Sequence, residues 1–155
     1  EYYQQSLVLA RDVGSRLSEG TTLGLLAILN YDEGDLELAA ERFREAIVIC
    51  DEVWERGAGF FRGNLSLIHA RKGEFSEARS MVLKGEAQVG LGERSERGSY
   101  LGLKAELEYR VGDMAAAAET LAQAEAIAAE LDLGPNSELN TSLKKVRSVF
   151  SGSMD

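Results

Sequence analysis

Residues 34–53 read GDLELAAERFREAIVICDEV, residues 73–92 read GEFSEARSMVLKGEAQVGLG, and residues 112–131 read GDMAAAAETLAQAEAIAAEL. Each window opens on a glycine and an acid, carries an alanine five places on, and starts 39 residues after the one before (73 − 34, 112 − 73). In the first window the small and apolar positions are Leu36, Ala39, Ala40, Phe43, Ala46, Ile47, Cys50 and Val53. Steps of three and four place them on one face of an α-helix. The second window repeats the stripe as Phe75, Ala78, Val82, Gly85 and Val89, and the third as Met114, Ala117, Ala118, Leu121, Ala124 and Ala128. A glycine ends one helix in left-handed backbone, and the acid after it suits the positive end of the next helix, so each window predicts a helix–turn–helix.

A shorter helical pattern precedes each window: Leu23, Leu26, Ala27 and Leu29; Phe61, Leu65 and Ile68; Tyr100, Leu103, Ala105 and Leu107. Glycines keep the same interval, at Gly20, Gly59 and Gly98 and at Gly24, Gly63 and Gly102. A single core has no reason to space its small residues evenly, whereas a stack of equivalent hairpins does. The fold expected is all-α, a right-handed superhelical solenoid of antiparallel helix hairpins. Residues 1–18 read as the second helix of a truncated unit, since Leu7 lies 39 before Ala46, and this implies further units upstream. Complete units follow at 19–56, 57–94 and 95–133. Residues 134–150 form a capping helix opened by Pro135, with Leu139, Leu143 and Val146 inward, and 151–155 form a frayed tail. Gly85 stands where the other copies have Ala46 and Ala124, with Gly90 and Gly92 close behind, which predicts that this helix is the softest of the three.

The pattern resembles the tetratricopeptide repeat family. The resemblance lies in the small residue of the first helix (Ala27, Ser66, Ala105), the Gly-Asp/Glu seven or eight places on, and the alanine five beyond that glycine. It continues in a large apolar residue four further on (Phe43, Val82, Leu121) and a small one three beyond (Ala46, Gly85, Ala124). The family period is about 34 residues, so these copies are longer. The family's tryptophan position holds Leu23, Arg62 and Leu101, and its tyrosine position holds Asn30, His69 and Glu108. The resemblance implies a concave groove, formed by the first helix of each unit, that receives a peptide or a partner helix. It also implies a place in the C-terminal part of a multidomain bacterial regulator.

Composition narrows the function. The formal net charge of −9 disfavours nucleic-acid phosphates and anionic membranes as partners. One cysteine, Cys50, excludes an internal disulfide and suits the cytoplasm. His69 is the lone histidine, so no histidine-pair metal site exists, and the sequence points to no catalytic residue, metal or cofactor. Gly57 to Gly63 and the Gly90-Leu91-Gly92 turn follow no strand pattern and lack the Lys-Ser/Thr of a phosphate loop. The tripeptides at Asn64 and Asn140 fall within predicted helices.

What remains is a binding surface. Carried over by register, the resemblance places Tyr31, Phe60, Asn64, Leu67, Arg71, Tyr109 and Arg110 on the concave face. Aromatic area would come from Tyr31, Phe60 and Tyr109, and forked donors from Arg71 and Arg110. Gly24, Gly63 and Gly102 would either leave the groove floor open or serve helix packing. The expected role is a non-catalytic scaffold for a protein or peptide partner. Self-association with a second copy and sensing of a small molecule between units are the alternatives.

Overall fold

Eight helices account for nearly all of the structure, a computed structural model that describes residues 2–90 and 92–152. They are α1 Tyr2–Asp12, α2 Arg16–Glu33, α3 Leu36–Val53, α4 Glu55–Arg71, α5 Phe75–Val89, α6 Arg94–Arg110, α7 Met114–Glu130 and α8 Glu138–Phe150. The chain is all-helical, with no strand among the described residues. No helix there is long and apolar enough to cross a membrane.

Local chemistry sets the turns. Gly34, Gly73 and Gly112 take φ of +86°, +77° and +88°, the left-handed backbone that a side chain disfavours. Asp35 accepts from the Leu38 N–H and Asp113 from the Ala116 N–H, each at 3.2 Å, and so cap α3 and α7. Glu74 makes no such cap; its carboxylate meets His69 Nδ1 instead. The first unit begins earlier than the sequence implies. Residues 13–15 turn, Gly14 has positive φ, and Ser15 caps α2, so residues 16–18 belong to α2 and not to the helix before it. At the other end Ser137 caps α8 by accepting from Asn140 N–H at 3.2 Å, so Pro135 stands in the loop rather than at the helix start. Leu91 and residues 153–155 of the expected turn and tail lie outside the described residues.

Two sets of glycines determine how the helices pack. A methyl at Gly20 would come 2.8 Å from Cys50 Sγ; at Gly59, 2.9 Å from Val89 Cγ2; at Gly98, 3.1 Å from Ile127 Cγ2. These three let α2, α4 and α6 press against the helix that follows each of them. The second set faces the next pair. A methyl at Gly24 would fall within the Phe61 ring, at Gly63 2.8 Å from Tyr100 Cε2, and at Gly102 3.3 Å from Leu143 Cδ2. Of the two readings for these glycines, helix packing describes Gly24 and Gly63, because aromatic rings from the next pair occupy that space. Gly85 is likewise packed: a methyl there would strike the Tyr100 hydroxyl and come 2.6 Å from the Gly59 carbonyl.

Each helix packs on its neighbours in the chain, and α2–α4, α4–α6 and α6–α8 also approach one another. The backbones of α1, α3, α5 and α7 stay farther apart and meet one another only through long side chains such as Arg11 with Glu45, which leaves the even-numbered helices as the closely spaced layer. Alanines 39, 78 and 117 are fully buried where α3, α5 and α7 meet their partners. Arg62 is buried and forms a network with Asp51 and Gln88. Its Nη1 and Nη2 reach Asp51 Oδ1 and Oδ2 at 2.6 Å, and Nη1 also reaches Gln88 Oε1 at 2.7 Å. Gln88 Nε2 donates to Asp51 Oδ1 at 3.1 Å, which ties α3, α4 and α5 together.

Candidate functional site: a groove along the even-numbered helices

Two adjoining cavities lie along α2, α4, α6 and α8. The first, of about 490 Å³, is bounded by Ile28, Tyr31 and Asp32 of α2, Phe60, Asn64 and Leu67 of α4, and Leu103 and Glu106 of α6. Thr141, Lys145 and Val146 of α8 close it. The second, of about 440 Å³, lies toward the helix N-termini, among Leu25, Trp54, Phe60, Phe61, Leu133 and Leu139. Ile28, Phe60, Asn64, Ser99 and Glu138 border both. Volumes of this size suit one or two large side chains or a small ligand.

Of the residues expected on the concave face, Tyr31, Phe60, Asn64 and Leu67 line the first cavity. Tyr31 is half-buried and its hydroxyl is buried with no hydrogen-bond partner among the described residues. Burial raises its pKa, and the nearby Glu106 charge adds to the rise. Phe60 is held edge-on to Tyr100, with centroids 5.8 Å apart. Asn64 donates from Nδ2 to the Phe60 carbonyl at 3.0 Å, so its helix already takes one of its protons.

Arg71, Tyr109 and Arg110 stand outside both walls. The Arg71 guanidinium carbon lies 4.7 Å above the Tyr31 ring, a cation–π contact at the groove's edge. Arg110 donates from Nε to Glu106 Oε1 at 2.8 Å, so its fork is engaged within its own helix. Tyr109 stacks on Phe150 of α8, with centroids 4.7 Å apart and rings 17° from parallel. The ring that the sequence offers to a ligand is thus taken by the C-terminal helix.

α8 supplies Glu138, Thr141, Ser142, Lys145 and Val146 to the walls, none of which the sequence assigns to the concave face. The signal was present: setting Leu139, Leu143 and Val146 inward places Glu138, Ser142 and Lys145 at the edges of that stripe. Gly102 keeps a place in the first wall, unlike its two counterparts.

The other candidate groups are held in the packing. Cys50 is fully buried, and burial with Asp51 beside it pushes its thiol up to about 11. His69 is buried; Nδ1 meets Glu74 and Nε2 finds no partner among the described residues. Asn140 donates from Nδ2 to the Leu133 and Gly134 carbonyls at 3.0 and 3.1 Å, which fixes the loop before α8. Among the described residues no three His, Cys, Asp or Glu side chains converge as metal ligands would.

No family model and no curated protein matches the sequence. Among solved structures the chain is similar to the crystal structure of BtubC (BKLC) from P. vanneervenii, with 18% sequence identity and a TM-score of 0.70. The match covers 99% of this chain and 73% of that one. At this identity the likeness is one of fold alone.

Proposed function

We propose that the chain is a tetratricopeptide-like solenoid, right-handed, that acts as a non-catalytic scaffold within a larger regulatory protein. Its concave face, built by α2, α4, α6 and α8, receives a peptide or partner helix. The observation that carries this reading is the layering: the backbones of the even-numbered helices approach one another, and those of the odd-numbered helices stay farther apart. A curved stack brings the helices of its inner face closer together, and the two confluent cavities lie along that face.

A random-peptide library selected on the whole chain tests it. Leu25 is 44% exposed and lines the second cavity, so Leu25→Arg fills the groove without emptying the core. Val48 is 62% exposed on α3 and lines neither cavity, so Val48→Arg is its control. Selected peptides are expected to lose about tenfold or more in affinity with Leu25→Arg and to keep it with Val48→Arg. Equal binding to both variants overturns the groove reading.

Self-association has one observation in its favour. Val8, Leu9, Val13 and Leu17 expose apolar side chains around the turn between α1 and α2. Mass measured by sedimentation would rise with concentration in that case, and Val8→Lys with Leu9→Lys would abolish the rise.

A further inference from the structure

We infer, resting on the groove reading above, that the preferred occupant is a partner-protein segment with a large apolar residue beside a lysine or arginine. The apolar side chain fills the second cavity and the cation meets Glu138.

The second cavity determines the sign of charge. Its walls are largely aromatic and aliphatic, and the only charged side chains in them are Glu96 and Glu138. Glu96 is already engaged: Arg56 Nη1 donates to its Oε2 at 3.0 Å and the Glu93 N–H at 3.1 Å. Glu138 makes no hydrogen bond or ion pair through its side chain among the described residues. It stands on the ridge common to both cavities, so a segment crossing from one to the other passes it. No lysine or arginine lines this cavity.

The first cavity carries no such bias. Asp32 and Lys145 both line it, Glu106 is paired with Arg110, and Arg71 sits over Tyr31 at its edge. Lys145 lies seven residues after Glu138 on α8, a rise of about 10 Å, so it does not neutralise that carboxylate. Glu138 is exposed in the empty groove, and an apolar group seated beside it removes part of its water, which is costly for an unpaired carboxylate. A cation next to that apolar group removes the cost, whereas a neutral neighbour leaves it and an acid adds repulsion.

The experiment uses the peptides selected on the whole chain. Each is made with its lysine or arginine intact and with glutamine in that place, and binding is read by fluorescence anisotropy. The parent is expected to prefer the basic form by about threefold to tenfold. Glu138→Gln is expected to abolish that preference, weakening the basic peptides relative to the glutamine ones, which bind at least as tightly as before because the unpaired carboxylate is gone. Glu41→Gln, on the exposed face of α3, leaves the preference intact. Selected peptides without basic residues beside their apolar anchor, or a Glu138→Gln variant that weakens both forms alike, overturn the charge inference alone. Peptides that bind Leu25→Arg undiminished, or a selection that enriches none, overturn the groove reading and this inference with it.

Discussion

Gly24 and Gly63 are defined by what would fill them, Phe61 in one case and Tyr100 in the other. Gly24→Ala and Gly63→Ala should each destabilise by about 1–3 kcal/mol through overpacking. Gly134 has open space around it and no positive φ, so Gly134→Ala should shift the denaturant midpoint little. Ala78 and Ala117 are fully buried, and a leucine at either should cost a comparable amount where a change at exposed Glu41 does not. Equal midpoints for these variants would mean that the helix pairs are looser than described. Asp51 carries a different kind of constraint. The Arg62 guanidinium, with Gln88 beside it, holds its carboxyl below the usual aspartate range, although burial works the other way. A lowered folded pKa means that the unfolded chain takes up the proton first. The stabilisation is therefore complete above the ordinary aspartate value of about 3.9 and is lost as pH falls through it toward the folded value. Denaturant midpoints measured from pH 6 down to 3 should fall less steeply for Asp51→Asn than for the parent. Nothing in the local sequence announces this network, because Arg62 meets groups 11 and 26 residues away.

At the scale of a helix, α5 poses the sharpest question. An interior glycine costs a helix about 0.5–1 kcal/mol relative to alanine, so the sequence marks Gly85 as a weak point. Its surroundings reverse that expectation. A methyl there would strike the Tyr100 hydroxyl, which donates to the Val82 carbonyl at 2.7 Å, and would crowd the Gly59 carbonyl on α4. Gly85→Ala should therefore destabilise despite its better propensity, since overpacking of about 1–3 kcal/mol exceeds the gain. A raised midpoint would restore the soft-helix view. The turns were legible for a plain reason: Gly34, Gly73 and Gly112 act on their own backbone, and Asp35 and Asp113 lie within one turn of the N–H groups they serve. The ends of the chain were less legible. The α1–α2 turn and the start of α8 depend on Ser15 and Ser137, single caps with no counterpart in the three windows. Tyr31, Phe60, Asn64 and Leu67, which helix register sets on one face, line one cavity. The register could not reveal that Phe150, 41 residues on, covers Tyr109.

For the molecule as a whole, the groove is a product of stacking and not of any one element, since each cavity draws walls from α2, α4, α6 and α8. Loss of α8 would open the far wall and uncover Gly102, so a chain ending before residue 134 should bind selected peptides weakly as well as unfold earlier. Peptide affinity equal to the parent's in such a chain would place the site elsewhere. The glycine contacts also give the molecule a direction. One side of each helix pair carries a socket, at Gly24, Gly63 and Gly102, and the opposite side carries a stud, at Phe61, Tyr100 and the Leu143 of α8. Because stud and socket are the same 37 residues apart in the first two joints (61 − 24, 100 − 63), and only the capping joint to Leu143 differs, the number of pairs is not fixed by the joint. A second copy of residues 57–95 inserted after residue 95 would seat its Phe61 on the original Gly63, and would offer its own Gly63 to Tyr100. Both are glycine-to-aromatic joints of the kind already present. Such a lengthened chain should fold with one more pair and a denaturant midpoint no lower than the parent's, so chain length here is a quantity that duplication can change without redesigning any surface.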